Sequence, residues 1–151
     1  MNIKQIITFT FFFIGFSISF AQSNSLDKDI SVINTLMKEN GLNDKLYTQL
    51  SIKNDQLIFE NIGKEYKLKN TDKRVLTIDK IQLKKIKLKS SKRPNKTFTS
   101  KIEFKTKGKA IYSKTLRGNY SKCFLFLNVK DKSVAENIKN MISELIEKLQ
   151  E

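Results

Sequence analysis

The sequence predicts an α+β fold with an N-terminal helix, an antiparallel meander of about seven strands, and a long C-terminal amphipathic helix packed on the sheet. Three observations support this prediction. Apolar residues recur at helical spacing near both ends of the 151-residue chain. They alternate with polar residues through the middle, and turn-forming residues divide that middle part into short segments, an arrangement typical of strands joined by hairpins.

Residues 1–21 have the layout of a cleavable signal peptide. An apolar run follows Lys4, and small residues precede the expected cleavage site between Ala21 and Gln22. The run is shorter than the roughly 20 residues of a membrane-spanning helix, which disfavours the alternative of an uncleaved anchor. The sequence therefore predicts an exported protein, periplasmic or extracellular, in which residues 22–151 form a single α+β domain without a transmembrane segment.

The first predicted helix follows in the stretch NSLDKDISVINTLMKENG. Asn24 or Ser25 is a suitable N-terminal cap, because its side-chain oxygen accepts a backbone N–H of the first turn. Gly41 is expected to end the helix in a left-handed conformation. The apolar residues at helical spacing are Leu26, Ile30, Ile33 and Met37.

The middle of the chain predicts seven or eight short strands. They include KLYTQLSIK, QLIFENI, VLTIDKIQLKKIKLK, TFTSKIEFKTK, KAIYSKTLR and KCFLFLNVK. Polar and glycine residues between them favour turns because they accept the backbone conformations that turns require. The expected turns lie at Asn54-Asp55, around Pro94-Asn95, at Gly108 and at Gly118-Asn119.

The stretch VLTIDKIQLKKIKLK changes parity part-way along. The apolar residues before Lys84 alternate out of phase with those after Lys85, and one extra residue would return both sets to the same face. We therefore predict a β-bulge at these two lysines. The register that follows places Leu88 opposite Phe98 and makes Lys85 a neighbour of Lys101 on the outer face.

The last predicted helix lies in SVAENIKNMISELIEKLQE. Ser133 and Glu136 have the spacing of a capping box at its start. The apolar stripe is too wide for a coiled-coil seam and is typical of a helix that packs on a sheet. It consists of Val134, Ile138, Met141, Ile142, Leu145, Ile146 and Leu149.

This order of elements resembles the pleckstrin-homology-like (PH-like) superfold, in which a terminal helix caps a bent antiparallel sheet. A partly open, calycin-like barrel, which also ends in a helix, is the main alternative. The PH-like resemblance implies a binding scaffold more readily than an enzyme. The sequence departs from lipid-binding members of the superfold, because their basic residues gather near the first hairpin and that region is nearly neutral here.

The net charge of +14 is concentrated in one segment of the chain. From Lys80 to Arg117 there are 14 basic residues and one acidic residue, Glu103. The outward positions of this segment predict an anion-binding surface for an anionic glycan, lipopolysaccharide or nucleic acid. Its candidate residues are Lys85, Lys87, Lys89, Lys92, Arg93, Lys101, Lys105 and Lys107.

Binding at this surface is expected to be electrostatic, weakly selective and strongly salt-dependent. The predicted outward residues are Lys and Thr, whereas Phe98 and Phe104 point inwards, so no aromatic platform for base stacking is expected. The alternative is a solvated face whose lysines protect exposed strands from edge-to-edge pairing.

The composition argues against catalysis. The chain contains no His and a single Cys, which removes the commonest general base and the main zinc ligands. No catalytic residue, cofactor or metal is predicted. Cys123 lies in the apolar stretch SKCFLFLNV and is expected in the core, with an intermolecular disulfide as the alternative.

These observations predict an exported, non-catalytic binding or envelope-associated module of unknown specificity. Two alternatives stay open. One is a structural or protein-interaction domain that docks a partner through a sheet edge or a helix, with the lysines serving only as solvent cover. The other is a carrier of a small apolar ligand, which requires an internal cavity.

Overall fold

A computed structural model describes residues 25–41, 46–63, 72–93 and 98–151. It confirms the α+β class. A helix, α1, precedes antiparallel strands in two sheets, and a second helix, α2, closes the chain and packs on the sheets. The predicted signal peptide and the turn at Pro94-Asn95 lie outside the described residues.

The described elements follow the predicted order. Helix α1 covers residues 25–39, and α2 covers Lys132–Gln150. Two 3-10 turns, Ile78–Lys80 and Leu83–Lys85, lie between the third and fourth strands. The strands are β1 Leu46–Lys53, β2 Gln56–Gly63, β3 Lys73–Thr77, β4 Lys87–Lys92, β5 Phe98–Lys105, β6 Ile111–Ser113, β7 Gly118–Tyr120 and β8 Lys122–Val129.

The strands form a five-stranded sheet in the order β1-β2-β3-β6-β7 and a three-stranded sheet in the order β4-β5-β8. Neighbours are antiparallel, as predicted, but the connectivity is more elaborate than a simple meander, since β6 pairs with β3 and β8 pairs with β5. The chain crosses to the second sheet through the 3-10 turns. It returns after β5 through a turn containing Gly108, whose φ is +67°.

The first hairpin has the predicted turn. Asn54 and Asp55 have φ values of 49° and 56°, which identifies a type I′ turn, and Lys53 pairs with Gln56 on either side of it. This turn type suits a two-residue hairpin because its twist matches that of the strands, and Asn and Asp tolerate positive φ better than most residues.

The hydrophobic core lies between the two sheets and the two helices. Phe59 of β2 and Phe104 of β5 meet there with ring centroids 5.1 Å apart, so the inner sides of the sheets are in contact. Helix α1 contributes Ile33 and Met37, both fully buried. Helix α2 contacts all three strands of the second sheet, and its buried residues are Ala135, Ile138, Ile142, Leu145 and Ile146.

The predicted β-bulge at Lys84-Lys85 is wrong. These lysines belong to the second 3-10 turn, in which the N–H of Ile86 donates to the carbonyl of Leu83 at 3.0 Å. A 3-10 turn also changes the parity of the alternation, so it solves the same problem by a different backbone geometry.

The register predicted from the bulge is wrong as well. Leu88 pairs with Ile102, and Lys92 pairs with Phe98. The neighbour of Lys101 on β4 is consequently Lys89. The difference arises because pairing in β4 continues to Lys92, so that five residues separate the paired ends of β4 and β5 where the predicted register left nine.

Two predicted helix ends also need correction. The N-cap of α2 is Asp131, whose carboxylate accepts the N–H of Ser133 at 2.9 Å, so Ser133 is not the cap. Gly41 does not have a positive φ; it is required by close packing, because a Cβ there would collide with the carbonyl oxygen of Leu46.

Helix α1 covers the outer edge of β1 and touches the outer edge of β8. The side-chain amide of Asn34 donates to the carbonyl of Leu50 at 2.9 Å and accepts its N–H at 2.7 Å, as a neighbouring strand would. At the end of α1, the carbonyl of Asn40 accepts the N–H of Asn128 at 3.2 Å. The helix therefore connects the open edges of the two sheets.

We expect Asn34→Ala to lower the free energy of unfolding by about 1–3 kcal/mol, because both backbone groups of Leu50 lose their partner at a partly buried edge. Chemical denaturation measures the difference. Lys38→Ala, at an exposed position of the same helix, is the control and should change stability by less than about 0.5 kcal/mol. Equal effects of the two variants would contradict the role of Asn34.

Candidate anion-binding face

The candidate site is the outer side of the three-stranded sheet. Side chains alternate along a strand, and the buried side chains of Ile102, Phe104 and Leu125 fix the inner side. The strand register then aligns the outward residues in rows across the sheet. The rows are Lys89, Lys101 and Phe126; Lys87, Glu103 and Phe124; and Lys105 with Lys122. We call these eight residues the basic face.

The structure brings together half of the predicted site. Arg93 follows β4 and its Nε donates to the hydroxyl of Thr99, which places the guanidinium at the rim of the basic face. Lys87, Lys89, Lys101 and Lys105 lie on the face itself. The remaining three are elsewhere: Lys85 in the second 3-10 turn, Lys92 on the opposite side of β4, and Lys107 beyond the end of β5.

Three residues of the basic face were missed by the sequence prediction. Lys122, Phe124 and Phe126 belong to β8, which lies entirely outside the highly charged segment from Lys80 to Arg117. The signal was nevertheless present, because Cys123 and Leu125 are buried on the inner side and strict alternation sends the two phenylalanines outwards. Both rings are half-buried rather than exposed.

The two rings hold lysine side chains on the outer side of the sheet. The Nζ of Lys101 lies 3.8 Å from the ring centroid of Phe124 and 6.0 Å from that of Phe126. The Nζ of Lys122 lies 5.3 Å from the Phe124 centroid. A cation over an aromatic ring is stabilised by about 0.5–1 kcal/mol at exposed sites, so these contacts restrict where the ammonium groups lie.

Glu103 is the single acidic side chain of the basic face. Its carboxylate lies 3.3 Å from the Nζ of Lys105. Burial raises the pKa of Glu103, but the hydrogen bond and charge of Lys105, with the charges of Lys122 and Lys89, outweigh burial and hold the pKa below its usual value. Five lysines and one ionised glutamate give the basic face a formal charge of +4.

Lys89 and Lys101 lie directly opposite each other on adjacent strands. Such a like-charge pair costs about 0.2–1 kcal/mol. The contact of Lys101 with Phe124 is of similar magnitude, so the aromatic ring offsets the repulsion. This arrangement explains how the sheet keeps its lysines close together in the absence of an anion.

Cys123 lies on the inner side of β8 and is buried, as predicted. Burial raises the pKa of its thiol to about 12, which the nearby Arg74 guanidinium lowers only in part. Because the thiolate is the reactive form, the folded protein protects this residue from oxidation and disulfide exchange. The geometry therefore gives no support to an intermolecular disulfide.

We expect Cys123 to react with a thiol reagent such as DTNB at pH 8 only as fast as the protein unfolds, because burial shields the thiol from the reagent and its raised pKa keeps it protonated. The protein unfolded in guanidinium should react at once and serves as the control. Native-state labelling at the rate of an unhindered thiol would contradict the burial of this residue.

No protein family, curated protein or solved structure matches the chain. Among the described residues, no three His, Cys, Asp or Glu side chains lie close enough to hold a metal ion. No helix in that part of the chain is long and apolar enough to cross a membrane.

Proposed function

We propose that this protein is an exported, non-catalytic binding module that holds anionic polymers on the basic face. One observation carries the proposal: lysines from three adjacent strands gather on one sheet surface around two phenylalanine rings. Anionic glycans, lipopolysaccharide and nucleic acids all present several negative charges, which a surface of one predominant positive charge attracts.

The arrangement favours a functional face over simple solvent cover. Lysines that only protect sheet edges are needed on the edge strands, here β4 and β8. In this sheet lysines also occupy the central strand β5, as Lys101 and Lys105. Rings placed under the ammonium groups of Lys101 and Lys122 order them before any ligand arrives, which reduces the entropy lost on binding.

Binding is tested by titrating the protein with heparin, duplex DNA and lipopolysaccharide across a series of salt concentrations. The variant changes Lys87, Lys89 and Lys122 to Gln, because these lysines are exposed on the basic face. For duplex DNA, each lost phosphate contact reduces the slope of log K against log salt by about 0.9. We therefore expect the slope to fall by roughly 2 to 3.

The matched control changes Lys28, Lys38 and Lys53 to Gln. These three lysines are equally exposed but belong to α1 and β1, so the control loses the same charge away from the basic face. Its salt slope should stay close to that of the unchanged protein. If both variants lose affinity equally, the interaction depends on net charge and the basic face is not a site.

The apolar-carrier alternative has less support. The space beside Arg74 has a volume of about 20 Å³, enough for one water molecule. A larger space of about 400 Å³ is an open groove between α1 and β1, and its lining includes the polar residues Asp27, Ser31, Lys38 and Gln49. Neither space is the enclosed apolar cavity that such a ligand needs.

A further inference from the structure

The hairpin formed by β6 and β7 carries most of the exposed large apolar side chains. Four such side chains occur in the described part of the chain, and the hairpin holds three of them. Leu116 at its tip is 64% exposed, and Tyr112 and Tyr120 are 46% and 37% exposed. The fourth is Val32 of α1, 42% exposed. The hairpin is therefore an unusual surface feature, distinct from the basic face.

Both the N–H and the carbonyl of Leu116 form hydrogen bonds within the hairpin, so the exposure of its side chain is a fixed property of the turn. Its N–H donates to the hydroxyl of Ser113 at 3.3 Å. Its carbonyl accepts the hydroxyl of Tyr120 at 3.4 Å. Arg117 completes the turn with a φ of 47°, a left-handed conformation that is uncommon for residues with a side chain and is often found at functional sites.

The two tyrosines flank the tip from opposite sides of the hairpin. Tyr112 pairs with Asn119, while Tyr120 pairs with the buried Ile111, so their side chains leave opposite faces. Strand β7 is the last strand of its sheet. The hairpin thus stands at an edge of the protein, where it can approach an extended surface.

Positive charge surrounds the apolar tip. Lys114 and Arg117 stand on either side of Leu116 in the turn, and both are exposed. No acidic residue occurs in the sequence between Glu103 and Asp131. The tip of the hairpin therefore combines an aliphatic side chain with two cations, and its own segment provides no acidic side chain to neutralise them.

We propose that the β6–β7 hairpin docks on the surface of an anionic phospholipid bilayer. Leu116 enters the outer part of the hydrocarbon layer, Tyr112 and Tyr120 lie at the level of the headgroups, and Lys114 and Arg117 pair with lipid phosphates. Each residue type matches the zone it would occupy: aliphatic side chains favour hydrocarbon, tyrosine favours the interface, and basic residues are attracted to anionic lipid.

The chemistry of the tip favours lipid over a protein partner. Tyrosine and arginine are common in protein interfaces, but there they cluster in one packed patch, whereas Tyr112 and Tyr120 leave opposite faces of this hairpin. The leucine between them partitions well into a bilayer. Flexible Lys and Arg side chains reach phosphates while their apolar stems follow the leucine inwards. A single inserted leucine and two cations give a weak, reversible attachment, as expected for a peripheral contact.

The absence of Trp from the chain allows a direct test. In the Leu116→Trp variant the new indole is the sole Trp and reports the environment of the tip. Adding vesicles of phosphatidylcholine and phosphatidylglycerol should shift its emission to the blue, and lipids brominated near the headgroup should quench it. Vesicles of phosphatidylcholine alone should give a much smaller response. This readout is specific to the tip, whatever other part of the chain touches the vesicles.

Val32→Trp is the matched control, since it places the same probe at the exposed apolar site on α1. Its emission should not change. The proposal would be overturned if the Leu116→Trp protein sediments with the vesicles while its Trp emission does not shift, because attachment would then use another surface. An equal shift at both positions, or an equal shift with neutral vesicles, would also overturn it.

The contribution of charge is measured with Lys114→Gln combined with Arg117→Gln in the Leu116→Trp background. The affinity for anionic vesicles should fall roughly twenty-five-fold, from about fivefold for each cation. The Lys87, Lys89 and Lys122 variant tested above should retain the blue shift of the Leu116→Trp probe. If the basic-face variant abolishes the shift and the hairpin variant does not, the lipid contact belongs to the basic face.

Discussion

Two sheets that pack face to face without closing into a barrel leave strand edges whose backbone groups need partners, and this constraint shapes the protein. At one corner the sheets share backbone contacts around Ile81 and Thr106. At the open side α1 provides the partners, because Asn34 forms hydrogen bonds with β1 and Asn40 forms one with β8. Arg74 adds a third connection, because its guanidinium reaches from β3 to the carbonyl of Phe124. Leaving backbone groups unpaired in a partly buried gap would cost more free energy than burying these polar side chains does.

The contacts that join the two sheets place no packing constraint on the side chains of their outer surfaces. Because Ile102, Phe104 and Leu125 are buried in the core, alternation along β5 and β8 determines which positions face outwards. It does not determine which amino acids occupy those positions. Lysines and two phenylalanine rings occupy these positions on the three-stranded sheet. The β6–β7 hairpin is a similar case, since Ile111 anchors it in the core while its turn is free to expose Leu116.

The elements predictable from sequence are those defined by local pattern. The apolar stripes of both helices and the Asn54-Asp55 turn depend on spacing and on the conformational preferences of a few residues. Pairing was harder to predict because it depends on distant partners. The 3-10 turn at Leu83–Lys85 satisfies the same change of parity as a bulge, and the choice between them depends on contacts with α2 and β5. Alternation alone places Lys87, Lys89, Lys101 and Lys105 outwards, as the sequence predicts, whereas the density of charge gives no signal for Phe124, which lies beyond the charged segment.

The position of Lys101 decides what kind of polymer the basic face would prefer. Its ammonium group lies over the Phe124 ring at 3.8 Å, so a nucleic-acid base could stack there only after displacing that cation. Stacking would then gain about 1–3 kcal/mol but lose the cation–π contact and the position of the charge. Recognition by phosphate or sulfate groups needs no such exchange, because they approach the ammonium from its free side. If the basic face binds anionic polymers as proposed, it would therefore select them by charge density and would not depend on base stacking.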